Sequence, residues 1–209
     1  MAAPVAEQVD PAPGFHRRLL DGLAASIEER GYRETTVADI VRHARTSKRT
    51  FYDHFSTKEE CFVELNSTYN EDMVAVVRNA VDPEAQWREQ VRQAVTAYAH
   101  TIDATRAITL SWIRELPALG EEARLLLRRG LDRFALMIGD LTQGPRFRDA
   151  GLTPLSPGAA IILVGGLNEL TAQLVEDGRP LAAMIDPAVA VATAPVSYTH
   201  LTLPTIYSV

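Results

Sequence analysis

Apolar residues recur along most of the chain at intervals of three and four, the spacing of one face of a helix. The first such face is formed by Phe15, Leu19, Leu20, Leu23, Ala24 and Ile27. Gly31 follows it and predicts a stop with a left-handed cap. No segment of useful length alternates apolar and polar residues as a strand would. The pattern therefore predicts an all-α protein.

The next stretch predicts two short helices joined by a tight turn. Thr36 and Asp39 have the spacing of a capping box, and the apolar face that follows consists of Val37, Ile40, Val41 and Ala44. After the turn at Arg45, Ser47 is placed to cap a third helix. Phe51 and Phe55, four residues apart, would turn inward and leave a basic, hydroxyl-bearing face exposed.

Longer helices are predicted beyond this point. Ser56 and Glu59 are spaced as a capping box for a fourth helix, whose apolar side includes Val76 and ends before Pro83. A fifth and a sixth helix follow, then a seventh over residues 121–143 with Leu125 inward, a loop over 144–157, an eighth over 158–176 and a ninth from residue 181. The total is about nine helices. We expect a helix-turn-helix domain at 14–57 and a larger helical domain at 58–194.

The charge distribution favours a nucleic acid as the partner of the small domain. The net charge of the chain is −6, yet residues 42–58 contain five Lys or Arg and only one acidic residue, Asp53. An acidic body with one basic patch orients that patch toward DNA and makes binding fall with salt. A short helix with exposed cations and hydroxyls suits a major groove, where these groups meet phosphates and base edges.

Other features bear on location. The chain has one cysteine, Cys61, so an internal disulfide is excluded and no oxidising compartment is required. Residues 1–13 are rich in Ala and Pro and have no signal-peptide pattern, so we expect a flexible arm. The longest apolar run, 159–167, has half the length that a bilayer requires. We therefore expect a cytoplasmic, nucleoid-associated protein without a membrane partner.

The end of the chain differs from the rest. Residues 187–209 contain no Asp, Glu, Lys or Arg. The final segment carries Pro and Thr where a helix would need better formers, and it resembles the translated read-through of sequencing-adapter DNA. We expect 195–209 to be a non-native tail; a natural disordered tail is the alternative.

Residues 15–65 resemble the DNA-binding domain of the TetR/AcrR (tetracycline-repressor) family of transcriptional regulators. The resemblance lies in Thr35–Ile40 (TTVADI) and in the stretch 47–60 (SKRTFYDHFSTKEE), where Phe-Tyr-x-His-Phe precedes a Lys-Glu helix start. It implies DNA contacts by Thr36, Arg45, Thr46, Ser47, Lys48, Arg49, Thr50, Tyr52, His54 and Lys58. Of these, it implies phosphate contacts for Thr36, Tyr52, His54 and Lys58. The family usually has Gly where Arg45 stands, so we expect a positive φ at Arg45.

The C-terminal domain offers candidates for two further sites. Aromatic and apolar residues more often form core than pocket, but concave sites for apolar ligands are lined by them. Our candidates for a ligand site are Trp87, Tyr98, Ile102, Trp112, Phe134, Met137 and Asn168. Two adjacent glycines inside a predicted helix favour close approach of a partner helix. Our candidates for a dimer interface are Gly165, Gly166, Leu170 and Leu174.

Together with these features, the resemblance implies a homodimeric regulator that binds a pseudo-palindromic operator and is a repressor released by a small apolar or aromatic ligand. We find no nucleophile elbow, phosphate-binding glycine loop, zinc-binding motif or cysteine pair, so we expect no enzyme, metal or cofactor. Two alternatives remain open. One is an all-α small-molecule-binding protein or enzyme whose N-terminal module docks protein; the other is a transcriptional activator.

Overall fold

A computed structural model describes residues 14–197, and within this range it contains helices and no strand. The α-helices are α1 (Phe15–Glu34), α2 (Val37–His43), α3 (Lys48–His54), α4 (Lys58–Asn79), α5 (Trp87–Asp103), α6 (Arg106–Arg114), α7 (Glu121–Thr142), α8 (Pro145–Asp149), α9 (Pro157–Glu176) and α10 (Ile185–Ser197). Two short 3-10 turns lie at Leu116–Ala118 and Leu181–Met184. The all-α prediction is confirmed.

The chain divides into two compact units, Met1–Leu65 and Asn66–Val209. This division falls within α4, whereas the sequence suggested a boundary before that helix. The predicted arm at 1–13 lies outside the described residues. So does most of the predicted tail, although α10 continues to Ser197.

The first unit packs α1, the two short helices α2 and α3, and the start of α4 around one core. Phe51, Phe62, Leu23, Ile27 and Ile40 are fully buried there. α1 and α2 approach closely at Gly22, where a Cβ atom would lie 2.6 Å from the carbonyl oxygen of Ile40. α1 is interrupted at Gly31, whose φ of 79° confirms the predicted glycine stop, although its ψ of 162° is extended rather than left-handed helical.

In the second unit, α9 packs against α6 and α7, and α10 packs against α5. One core cluster joins Ala99 and Ile102 of α5 to Leu174 of α9 and to the 3-10 turn that follows it. These contacts come from residues far apart in sequence, and they bury one side of α9.

Several local predictions are wrong. The predicted loop at 144–157 contains α8, because Pro145 starts a helix and Phe147 becomes buried. Leu125 is 47% exposed, while Leu126 turns inward; Val76 is likewise exposed beside buried Val77.

The cap of α4 is also displaced by one residue from the predicted pair. The hydroxyl of Thr57 accepts a hydrogen bond from the Glu60 amide at 3.1 Å. The Glu60 carboxylate accepts one from the Ser56 amide at 2.6 Å. The capping pair is therefore Thr57 with Glu60 rather than Ser56 with Glu59.

By length and composition α9 could cross a membrane, and it is the one such helix among the described residues. Only 28% of its most apolar window is buried within the chain. A large part of its apolar surface therefore has no partner within this chain.

Candidate nucleic-acid interface

The start of α2 is fixed by the predicted capping box. The Thr36 hydroxyl accepts a hydrogen bond from the Asp39 amide at 3.3 Å, and Asp39 accepts from the Thr36 amide at 3.0 Å. The Thr36 hydroxyl also donates to Asp39 at 2.7 Å. These hydrogen bonds from Thr36 lower the pKa of Asp39 from its usual value. Both hydrogen-bond donors of Thr36, its hydroxyl and its backbone amide, are thus engaged by Asp39, although Thr36 was expected to contact a phosphate.

The turn between α2 and α3 has the unusual backbone that the family resemblance implied. Arg45 has φ of 50° and is the one non-glycine residue with positive φ in the described part of the chain. The amide of Thr46 donates to the carbonyl of Val41 at 3.0 Å and closes the turn. A left-handed conformation costs an L residue roughly 1 kcal/mol relative to Gly, so other contacts must hold this turn.

α3 lies on two phenylalanine rings and exposes its opposite face. Ser47 caps the helix, its hydroxyl accepting from the Thr50 amide at 3.1 Å. Phe51 is fully buried and Phe55 is 2% exposed, which confirms both as core residues. Tyr52 is 57% exposed. Among the other side chains of this region that were predicted to contact DNA, Thr46 and Thr50 are half-buried. The remaining ones are exposed: Arg45, Ser47, Lys48, Arg49 and His54.

Lys58, by contrast, is half-buried and bonded within its own unit. Its Nζ atom donates to the carbonyl of Thr35 at 2.8 Å and to that of Tyr32 at 3.1 Å. The same atom lies 4.3 Å from the centre of the Tyr32 ring. An ammonium group has three N–H donors, so one remains for a phosphate.

Two residues near this surface escaped the sequence analysis. Arg18 donates from Nη2 to the carbonyls of Ala44 at 2.6 Å and Arg45 at 2.8 Å. Glu29 accepts from Arg42 and pairs with His43, each at 2.8 Å. Hydrogen bonds from Arg42 first, and from Arg30 and His43, lower the pKa of Glu29 to about 2. Both residues connect α1 to α2 over separations with no local sequence signal.

The second unit contains a cavity of about 100 Å³. Its walls come from α4, α5, α7, α8, α9 and α10 and are mainly aliphatic and aromatic. Four of the predicted ligand-site residues line it: Tyr98, Phe134, Met137 and Asn168. Wall residues that the sequence analysis missed include Val77, Gln90, Val95, Ile138 and Leu167.

The other three ligand-site candidates do not line this cavity. Ile102 belongs to the core cluster that includes Leu174. The Trp87 ring packs against that of Phe147, with centroids 5.9 Å apart, and Trp112 lies close against Gly130. Trp87, Ile102 and Trp112 therefore pack against other residues, which is the more common role of aromatic and apolar side chains.

Polar groups meet the cavity where α5 and α9 face each other. The Tyr98 hydroxyl donates to Oδ1 of Asn168 at 3.3 Å and lies 3.4 Å from the hydroxyl of Thr171. Burial raises the pKa of Tyr98, so this phenol remains protonated. Both distances are long for O–H···O bonds, so the hydroxyl is weakly held by its partners.

α9 and α10 present an apolar surface. Ile162 is 78% exposed, and Val191 and Ile161 are also exposed. The glycines at 165 and 166 are exposed with open space above them. An open groove of about 520 Å³ between the two helices includes Gly166 and Leu170 in its walls. The prediction for Leu174 is wrong, because this residue is 2% exposed in the core and cannot reach a partner.

The family model described as "Bacterial regulatory proteins, tetR family" matches residues 19–65, the segment that forms most of α1, all of α2 and α3, and the first two turns of α4. The N-terminal segment of this chain therefore matches the tetR family. The chain is similar to the transcriptional repressor KstR2 of Mycobacterium tuberculosis, with 32% identity over 57% of this chain and 58% of that protein. It is also similar to the regulator HbdR of Aromatoleum, with 28% identity over 62% of this chain and 57% of that protein. The matched part spans little more than half the length of these curated relatives.

Solved structures extend the likeness to nearly the whole chain. The fatty acid degradation regulator FadR of Bacillus halodurans has a TM-score of 0.75, with 19% identity over 90% of this chain and 99% of that one. FadR of Bacillus subtilis, solved with stearoyl-CoA, has a TM-score of 0.72, with 16% identity over 87% and 99%. At these identities the likeness establishes the fold of both domains.

Proposed function

We propose that this protein is a homodimeric, sequence-specific DNA-binding transcriptional regulator, more specifically a repressor that a small apolar ligand releases from its operator. The observation that carries the proposal is the geometry of α3. Its aromatic residues Phe51 and Phe55 are buried, and its cations and hydroxyls are exposed beside a capped turn. The match of the tetR family model to the same residues also supports the proposal.

The exposed residues divide into two kinds of DNA contact. Lys48, Arg49 and Thr50 at the start of α3 are suited to base edges, because the first residues of a recognition helix enter the major groove. Tyr52 and His54, toward its other end, are suited to phosphates. Arg45, Thr46 and Ser47 in the turn complete the surface, with Lys58 as a phosphate contact at its edge. Thr36 would contact a phosphate there only by exchanging its hydrogen bonds to Asp39 for bonds to DNA. In a dimer the two recognition helices would lie roughly 34 Å apart, about one turn of DNA.

For the effector, we propose a ligand with an apolar body and one hydrogen-bonding group. The cavity walls are apolar, and Tyr98 and Asn168 provide a weakly bonded polar pair. A volume of about 100 Å³ is small beside the roughly 300–1,000 Å³ of ordinary ligand pockets, so binding must enlarge the cavity. The similar FadR of Bacillus subtilis was solved in complex with stearoyl-CoA, a ligand with a long apolar tail.

The proposed link between ligand and DNA is α4. This helix begins with Lys58 in the first unit and carries Val77 in the cavity wall. An enlarged cavity would displace α4 and change the separation of the two recognition helices. A coupling of about 1–3 kcal/mol would weaken operator binding some five- to 150-fold.

The proposed dimer joins the α9–α10 face of one copy to the same face of a second copy. Ile161, Ile162 and Val191 would be covered, and the glycines at 165 and 166 would allow close approach of the partner helix. An apolar face of this kind is typical of a protein interface. It also accounts for the composition of α9 without a membrane.

The test is a gel shift of the purified protein with the DNA that flanks its gene, with and without candidate ligands. We expect a specific complex that one class of ligand dissolves. The rival function, an N-terminal module that docks protein, would require exposed apolar residues on α3, where the exposed residues are mainly cationic and polar. Absence of any DNA complex would support that rival. A reporter assay distinguishes repression from activation, which matters because the matched relatives include both a repressor and the activator FasR of Mycolicibacterium smegmatis.

A further inference from the structure

The turn before α3 adopts a backbone that glycine favours, yet Arg45 stands there with φ of 50°. The orientation of α3 depends on this turn, because Ser47, two residues later, already caps the helix. The hydrogen bond from the Thr46 amide to the Val41 carbonyl closes the turn but leaves the carbonyls of Ala44 and Arg45 to find other partners.

Arg18 of α1 supplies those partners. Its Nη2 atom donates to the carbonyl oxygens of Ala44 at 2.6 Å and Arg45 at 2.8 Å. Ala44 is the C-cap of α2, where a cation is favourable because the helix dipole leaves partial negative charge at its carbonyls. The Arg18 guanidinium also lies 5.2 Å from the centre of the Phe15 ring, which helps to fix the side chain.

We propose that Arg18 is a positioning residue for DNA binding: it holds the left-handed turn at Arg45 and so sets the orientation in which α3 meets the major groove. This inference rests on the proposed DNA-binding function. It requires no contact between Arg18 and DNA. A glycine at position 45 would adopt a positive φ without strain. With arginine at that position, the hydrogen bonds from Arg18 offset the cost of the left-handed conformation.

The first test compares Arg18→Ala with Arg17→Ala. Both variants remove one positive charge from the same turn of α1, but Arg17 is exposed and, among the described residues, pairs with Asp21 at 3.1 Å. Affinity is measured by fluorescence anisotropy at several salt concentrations, on a duplex selected by the wild-type protein from a random pool. We expect Arg18→Ala to weaken binding about tenfold, since charged hydrogen bonds to the turn are lost, and Arg17→Ala to weaken it less than about twofold.

The salt dependence separates positioning from direct contact. A lost phosphate contact would flatten the slope of log affinity against log salt by about 0.9, whereas a positioning residue leaves that slope unchanged. A flattened slope for Arg18→Ala alone would overturn the proposal in favour of a phosphate contact. Equal, small effects of both variants would overturn it as well.

The second test uses position 45. Arg18→Ala is introduced into Arg45→Gly and into Arg45→Ala, two backgrounds that lack the same side-chain charge but differ in their tolerance of positive φ. We expect the loss of affinity to be several-fold smaller in the glycine background, because there the turn remains populated without Arg18. Equal losses in both backgrounds would contradict the proposed role.

A measurement without DNA distinguishes failure of this inference from failure of the proposed function. Hydrogen exchange at the Thr46 amide reports whether the turn is closed. We expect exchange about tenfold faster in Arg18→Ala than in Arg17→Ala, whether or not a DNA duplex is found. Unchanged Thr46 exchange would overturn the role of Arg18 in the turn even if the protein binds DNA.

Discussion

Replacing Gly22 by alanine tests the packing that supports the DNA-binding surface. Gly22 lies on α1 where it meets α2, and an added Cβ would be 2.6 Å from the carbonyl oxygen of Ile40 and 3.0 Å from the Cβ of Ala44. Ordinary contacts begin at 3.4 Å, so α2 must retreat by about 0.8 Å, the difference between 3.4 and 2.6 Å. Both contacts involve backbone or a side chain's first atom, so no rotamer change can relieve them.

The expected loss of stability follows from two opposing effects. Overpacking in a well-packed core costs about 1–3 kcal/mol, whereas Ala in place of Gly within a helix gains about 1 kcal/mol. We therefore expect Gly22→Ala to lower the free energy of opening of the first unit by up to about 2 kcal/mol. Because α2 leads directly into the turn before α3, operator affinity should fall as well.

The assay is hydrogen exchange at the Ala44 amide, which donates to the Ile40 carbonyl at 2.9 Å, directly at the clash. The matched control is Gly139→Ala in α7, where an added Cβ meets nothing within 4 Å. That variant should stabilise its own unit by up to about 1 kcal/mol and leave Ala44 exchange unchanged. Slower exchange at Ala44 in Gly22→Ala would refute the close approach of α1 and α2.

Three further variants test other parts of the structure. Ile162→Glu places a charge on the proposed dimer face, so sedimentation should detect monomers at concentrations where the wild-type protein is dimeric; an unchanged dimer would contradict that interface. Glu29 has a pKa lowered to about 2 from 4.5, so it stabilises the fold above pH 4.5 and loses that effect as pH falls toward 2. The melting temperature of Glu29→Gln should therefore change less than that of the wild-type protein between pH 4.5 and 2. If the two proteins lost melting temperature equally over this range, the ion pairs of Glu29 would not stabilise the fold. Lys58→Met removes two hydrogen bonds to backbone carbonyls and should lower the free energy of unfolding by about 1–3 kcal/mol in urea titrations; no change would mean that these bonds contribute nothing.

Features of the first unit that depend on near neighbours could be predicted from the sequence. Thr36 and Ser47 cap their helices as expected, because each of these signals lies within a few residues. The positive φ of Arg45 was expected from the family resemblance, which places Gly at that position. The hydrogen bonds of Arg18 to the turn could not be predicted, since they join residues 26 and 27 positions apart. The pairing of Glu29 with Arg42 could not be predicted either, because these residues are 13 positions apart.

Prediction was weaker for the second unit, because composition does not distinguish a cavity wall from a core. Tyr98 and Asn168 meet at the cavity across 70 positions of sequence, while Trp112, an equally plausible candidate, packs at Gly130. Residues 125–127 are all leucine, so periodicity could not determine which of them turns inward. Leu174 was predicted to lie at the dimer interface and does lie on α9, but it faces the core, where it packs against residues of the 3-10 turn that follows α9.

The most direct test of a DNA-binding α3 is the affinity of the full chain for its selected duplex and for a shuffled duplex, with and without Arg49→Ala. We predict that the wild-type protein prefers the selected duplex and that its affinity falls steeply with salt. Arg49→Ala should lose about 1–3 kcal/mol on the selected duplex and much less on the shuffled one. Equal losses on the two duplexes would contradict base recognition by Arg49, and no binding to either by the wild-type protein would contradict DNA binding through α3.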